Sequence, residues 1–162
     1  MRPERSGWRG AERQGKLVIV CGLPGSGKTT LAMELCANGV AVRMSPDDWM
    51  DALQVNLWDQ SVRAKIESLQ WQITEDLLRQ GVTVVIEWGT WAKVERDTLR
   101  AGARELGAGV ELWYLDVDVD ELWNRVSTRQ MEYPPMSRQD LEQWFAQFEV
   151  PDEVERALFD SH

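Results

Sequence analysis

Histidine is all but missing from this chain, its one example being the terminal His162. A zinc centre built on imidazoles or a histidine-driven nucleophile needs more than that, and no Cys-x-x-Cys pair compensates. Cysteine is limited to Cys21 and Cys36. Both sit in apolar patterns, so buried thiols are expected rather than a redox pair. No run approaches the roughly 18–20 consecutive apolar residues of a membrane span. The opening residues, MRPERSGWRGAERQG, lack the apolar centre of a secretory signal. These absences lead to the expectation of a soluble, cytoplasmic protein with a flexible polar tail over residues 1–16.

Positive charge is also scarce. The chain has 18 basic and 27 acidic residues, a formal charge of −9 and a pI near 4.7. Arg2, Arg5, Arg9 and Arg13 fall in the tail and Lys16 ends it, which leaves 13 basic and 25 acidic groups in residues 17–162, or −12. That field repels a phosphate backbone, so nucleic acid is a disfavoured partner. At 162 residues, 43% hydrophobic, the composition suits one domain, placed at 17–162.

What is present alternates between two periods. Short β-branched runs at 17–21, 40–44, 82–86 and 110–115 read as strands. Helical patterns follow each, at about 28–37, 47–54 and 59–80, 92–106, and 118–129 with 137–148. In the longest helix the apolar spacing of Val62, Ile66, Leu69, Ile73 and Leu77 predicts the buried stripe. Strands alternating with helices imply a three-layer α/β fold around a parallel sheet of four to five strands. In such sheets the site lies beyond the carboxyl ends of the strands, where the loops 22–28, 45–48 and 87–91 converge.

Gly22-Leu23-Pro24-Gly25-Ser26-Gly27-Lys28-Thr29 matches the phosphate-binding loop at every fixed position, with a strand before it and a helix after. Its amides and the helix dipole are suited to a triphosphate, with ATP and magnesium as the expected pair. Lys28 is expected on the β- and γ-phosphates and Thr29 on Mg²⁺, while Thr30 packs in the first helical turn. None of the four lysines follows an asparagine, so the guanine-reading Asn-Lys-x-Asp motif is absent, and no LSGGQ-like string occurs. A small phosphotransferase is the natural reading.

Transfer to a hydroxyl needs an orienting carboxylate and cations for the developing charge. Asp47 and Asp48 follow the second strand and either can take the proton, although Asp47 also suits a helix cap. Glu87 ends the third strand, where it can meet the magnesium shell through water. Asp116, after the fourth strand, is assigned a structural or adenine-side place. Arg125 and Arg129 share a helix face and are expected to close as part of a lid at about 125–140, with Arg138 as a weaker third. Nine tryptophans are many for this length. Trp49, Trp58, Trp88 and Trp91 fall beside the active edge and can wall a pocket for a flat or apolar acceptor.

The combination LVIVCGLPGSGKTTLA, SPDDW and ELWNRVSTRQ resembles the P-loop kinases that include zeta toxins, chloramphenicol phosphotransferase and the kinase domain of polynucleotide kinase. The resemblance covers about residues 17–148. It implies that Asp47 activates the acceptor hydroxyl, that Lys28 and Thr29 serve phosphate and magnesium, and that Arg125 and Arg129 are lid arginines. Two departures stand out. Glu87-Trp88-Gly89-Thr90 occupies the place where the family often has Asp-(Thr/Asn), and only Ala157 to Asp160 can supply the usual fifth strand. The expectation is an ATP-dependent kinase acting on a small-molecule hydroxyl. A polynucleotide 5′-kinase and a non-catalytic ATP-binding sensor are the alternatives.

Overall fold

A computed structural model describes residues 14–129 and 132–162. Strand β1 (Lys16–Cys21) leads into helix α1 (Lys28–Cys36), and β2 (Ala41–Met44) into α2 (Pro46–Ala52) and α3 (Gln60–Arg79). Then come β3 (Thr83–Gly89), α4 (Lys93–Glu105), β4 (Gly109–Tyr114), α5 (Val119–Arg129), α6 (Arg138–Gln147) and the short α7 (Glu153–Arg156). All strand pairs are parallel and the order is β2-β3-β1-β4. The crossover after β1 runs to one side of the sheet, to β2, and the crossover after β3 runs the other way, to β4, so the glycine-rich loop leaves the sheet at the switch point between β1 and β3. No helix of the described residues is long and apolar enough to cross a membrane.

Alternation along the central strands divides the core. Leu17, Ile19 and Cys21 with Val84, Ile86, Val110 and Leu112 face the larger cluster, which Leu78 of α3 and Leu99 and Ala103 of α4 complete. Val18, Val20 and Val85 face the other side, where Ala32, Leu31 and Leu35 of α1 cover them. Burying such aliphatic side chains contributes about 1.5–3 kcal/mol each. Gly102 of α4 lets the Trp71 ring of α3 approach closely: a Cβ there would lie 2.7 Å from it.

Four expectations shift. The stripe of α3 that is buried is Ile66, Gln70, Thr74 and Leu78, whereas Leu69 and Ile73 are exposed. The helix is rotated toward a polar seam because Gln70 accepts the Trp88 indole N–H at 2.8 Å, a contact that periodicity does not register. Strand β3 continues to Gly89, and its register against β1 slips between Ile19↔Ile86 and Cys21↔Gly89, which places an extra residue in β3 at the site edge. The segment Ala157–Asp160 is no strand. It turns after α7 and meets β4 through the Asp160 N–H on the Val110 carbonyl (2.8 Å) and the Val110 N–H on the Asp160 carboxylate (2.8 Å). The sheet therefore has four strands among the described residues, with its β4 edge shielded. Residues 1–13 of the expected tail lie outside the described residues, but Lys16 opens β1 and the Gly15 carbonyl accepts the Gly109 N–H at 2.9 Å.

Candidate active site

The loops after β1, β2 and β3 converge on one cavity of about 870 Å³ that the lid-side elements α5 and α6 also border. At one end stand Pro24, Gly25, Gly27, Lys28, Thr29 and Thr30 of the glycine-rich segment, with Arg125 and Arg129 across from them. Gly22, Leu23 and Ser26 are buried beneath the loop. Glycine is needed at Gly25, where φ is +84° and a Cβ would lie 2.9 Å from Val126 of α5. At Gly27, with φ +97°, a Cβ would meet nothing within 4 Å, so the space above the loop is open.

The chemistry of this end fits a polyphosphate. Lys28 donates to the Leu23 carbonyl at 3.0 Å. Loss of solvent pushes its ammonium down to about 8, against the opposing pull of Asp47 and Glu87. The Ser26 hydroxyl is buried without a hydrogen-bond partner in the described structure. A recessed cation and open space above the amides are the features an anionic chain would complete. No group of three or more His, Cys, Asp and Glu suited to a metal ion occurs among the described residues. A magnesium ion here would be held by the Thr29 hydroxyl and by the phosphate it accompanies.

The expected helix cap resolves in favour of Ser45, whose hydroxyl accepts the Asp48 N–H at 3.4 Å, with Pro46 opening α2. Asp47 is thereby free of capping. It lines the cavity and is held by the Arg63 guanidinium of α3. Asp48 differs from the expectation: its carboxylate is paired with Arg43 of β2, and it is not among the cavity's lining residues. The same Arg43 also pairs with Glu87. Glu87 lines the cavity, yet its side chain is only 2% exposed, and the arginine occupies the carboxylate that was expected on the magnesium shell. Trp49 also departs from the expected pocket, because it packs against the main core.

Helix α5 is seated on the loop by Leu122 and Val126, both buried. Arg125 donates to the Gly25 carbonyl at 3.2 Å and is paired with Glu121 at 2.7 Å. Among the described residues Arg129 pairs only with Glu132, at 3.6 Å. Arg138 pairs with Asp120 and Glu142 and lies outside the cavity lining, while Asp116 accepts the Tyr114 hydroxyl at 3.3 Å. The cavity's other end is walled by Trp58, Trp88, Trp91 and Trp144 with Leu57 and Met136. Two consecutive left-handed residues, Gly89 (φ +96°) and Thr90 (φ +45°), end β3 and bring Trp91 back beside Trp88 on this wall.

Arg63, Glu67, Glu95 and Trp144 were not singled out from sequence. Arg63 and Glu67 stand four apart at the start of α3, next to the SPDDW segment in order. That spacing was the available signal.

A parallel β2-β3-β1-β4 sheet with a glycine-rich loop between β1 and α1 is the architecture of the P-loop NTPases. Within that class, residues 17–151 match the family model described as AAA domain, and the chain belongs to that family. Among solved structures it is similar to a chain of the Pnkp1/Rnl/Hen1 RNA repair complex, with 21% identity and a TM-score of 0.71 over 96% of this chain. It spans 49% of the length of that larger chain, about half. It is also similar to Chaetomium thermophilum Kti12 in complex with ADP-AlF3, with 20% identity, a TM-score of 0.66, and 86% and 84% of the two chains covered. A gluconokinase from Sinorhizobium meliloti 1021 gives 20% identity and a TM-score of 0.57, over 89% of this chain and 80% of that one. At these identities the likeness is one of fold. No curated protein sequence matches the chain.

Proposed function

We propose that the protein is an ATP-dependent kinase that transfers the γ-phosphoryl group to a hydroxyl of a small-molecule acceptor. The observation that carries this reading is Asp47. It is relieved of capping by Ser45, oriented by Arg63, and lines the same cavity as Lys28, Thr29, Arg125 and Arg129.

Asp47 accepts the acceptor's hydroxyl proton as the oxygen attacks the γ-phosphorus. The new O–P bond forms while the bond from that phosphorus to the β,γ-bridging oxygen breaks, leaving ADP. Lys28 neutralises charge on the bridging side, and Arg129, which lines the cavity and pairs among the described residues only with Glu132 at 3.6 Å, stabilises the equatorial oxygens. Magnesium, when bound, supplies further charge neutralisation along the β- and γ-phosphates. Arg63 fixes the carboxylate that does the accepting, so orientation is set before the acceptor arrives.

The test is transfer from radiolabelled ATP, with magnesium, to pooled nucleosides, amino sugars, hydroxylated antibiotics and sugar nucleotides. A separate arm offers a 5′-hydroxyl oligonucleotide at low salt. A labelled small molecule is expected, and Asp47→Asn should retain ATP while losing roughly a hundredfold to ten-thousandfold in turnover. Label appearing only on the oligonucleotide would replace this reading with a polynucleotide kinase. ATP binding without transfer to any acceptor would replace it with a sensor.

A further inference from the structure

The end of the cavity away from the glycine-rich loop is rich in aromatic rings. Three indoles form a continuous cluster there: the Trp58 and Trp144 ring centroids are 5.6 Å apart and those of Trp91 and Trp144 are 5.5 Å apart, tilted at 44° and 49°. They come from the segment before α3, the turn after β3, and α6. The Trp58 indole N–H donates to the Pro134 carbonyl at 2.9 Å, and that of Trp88 to Gln70. With those donors engaged, these two rings offer the cavity π-surface rather than hydrogen bonds.

The same cavity is lined by a carboxylate that has no partner among the described residues. Glu67 of α3 lines the cavity, is half-buried, and takes part in no hydrogen bond or ion pair among the described residues. Arg63, one turn before it, is engaged by Asp47. Glu95 of α4 also lines the cavity, with one oxygen accepting the Ala92 N–H at 2.8 Å. Burial is the main cause that pushes the Glu67 carboxyl up to about 7, with Glu95 and Asp47 adding repulsion and Arg63 opposing it. Asp47 lies close enough to both Lys28 and Glu67 to act on each, and all three line the same cavity as the rings.

We propose that the acceptor is an alcohol carrying an organic cation, an amine or quaternary ammonium group, seated among Trp58, Trp91 and Trp144 beside Glu67 while its hydroxyl meets Asp47. Ring faces attract a cation through their quadrupole, and a desolvated carboxylate strengthens that attraction. A triphosphate at the other end makes the cavity more negative still. The inference rests on the kinase reading for the hydroxyl's role, but the cation seat itself is independent of it.

The experiment uses the full chain and a matched pair of probes, choline and its neutral carbon isostere 3,3-dimethylbutan-1-ol, titrated by calorimetry with and without ATP. Choline is expected to bind at least about tenfold more tightly than the isostere. Glu67→Gln and Trp144→Leu should each cut that preference to about threefold or less, with circular dichroism confirming the fold. Choline does not titrate, so its affinity should rise between about pH 6 and pH 8 as Glu67 becomes charged, with Arg63, Asp47 and Glu95 facing it. Equal binding of the two probes, binding of neither at tens of millimolar, or a preference that survives both substitutions would overturn the proposal. ATP titrated into the same sample separates the two readings. Heat from ATP with equal probe binding sinks only the cation seat, whereas no ATP binding sinks the kinase reading whatever the probes do.

Discussion

The two ends of the cavity are built on different principles. The phosphate end is made from consecutive residues, Gly22 to Thr30, and its ligand-facing groups are mostly backbone amides at the start of α1. The acceptor end draws single side chains from the segment before α3, from α3 itself, β3, α4 and α6. A site of the first kind survives as long as local geometry does. One of the second kind depends on how five elements pack, and so can be retuned by substitutions that leave the loop untouched. Evolution of a new acceptor on this fold needs change at only one end.

Five substitutions or conditions would break or sharpen that contrast. The largest effect is expected at Arg129, whose replacement by Ala should lower kcat about a hundredfold to a thousandfold. Arg125→Ala should cost about tenfold, because that guanidinium is already committed to Glu121 and the Gly25 carbonyl. Steady-state kinetics of the two variants measure the gap, and equal losses would mean that both arginines act on the transferred group. Lys28→Ala should weaken ATP binding at least about a hundredfold by calorimetry, since a charge-assisted contact is lost at the closed end.

Proton linkage gives a smaller effect. The Lys28 ammonium is lowered to about 8 by burial, with Asp47 and Glu87 pulling it up and Arg129 pushing it down. Phosphate binds the charged form, so ATP affinity should be full below about pH 8. Above it, affinity should fall by up to about tenfold per pH unit until the pKa of the bound state is reached. The fold itself moves the other way. Between about 8 and the ordinary lysine value the unfolded chain holds the proton that the native one has lost, so this group's contribution to stability rises with pH. An ATP affinity that is flat from pH 7 to pH 9.5 would show that the ammonium is not recessed. The smallest effect is expected at Gln70→Leu, which removes the Trp88 partner together with an unpartnered buried amide nitrogen. Stability should stay within about 1 kcal/mol while the acceptor KM rises a few-fold.

Much of the scaffold was legible before any coordinates. The strand at 17–21, the loop and α1 follow from a β-branched run, the four fixed positions Gly22, Gly27, Lys28 and Thr29, and a helical start, all local signals. The helix over 59–80 was equally plain, yet its buried face was not. Leu69 and Ile73 carry the right spacing, but the Gln70–Trp88 hydrogen bond turns the helix away from them. Asp48 and Trp49 neighbour Asp47 in the chain, and proximity in sequence places all three at the pocket. Along α2 successive residues point in different directions. Only Asp47 reaches the cavity, while Asp48 turns to Arg43 and Trp49 to the core. Arg63 and Arg43, which hold the carboxylates, had no marker beyond their charge.

Sequence alone determined the sheet's parallel sense, through the alternation of strand and helix patterns along the chain, and the position of the glycine-rich loop, which is encoded within a few neighbouring residues. Tertiary structure decided which of the two aspartates lines the cavity, which arginine pairs with each, and that indoles from three distant segments meet on a wall of the cavity that Glu67 also lines. Those outcomes depend on a one-residue slip in β3 and on the rotation of α3, and both are set by packing across the sheet.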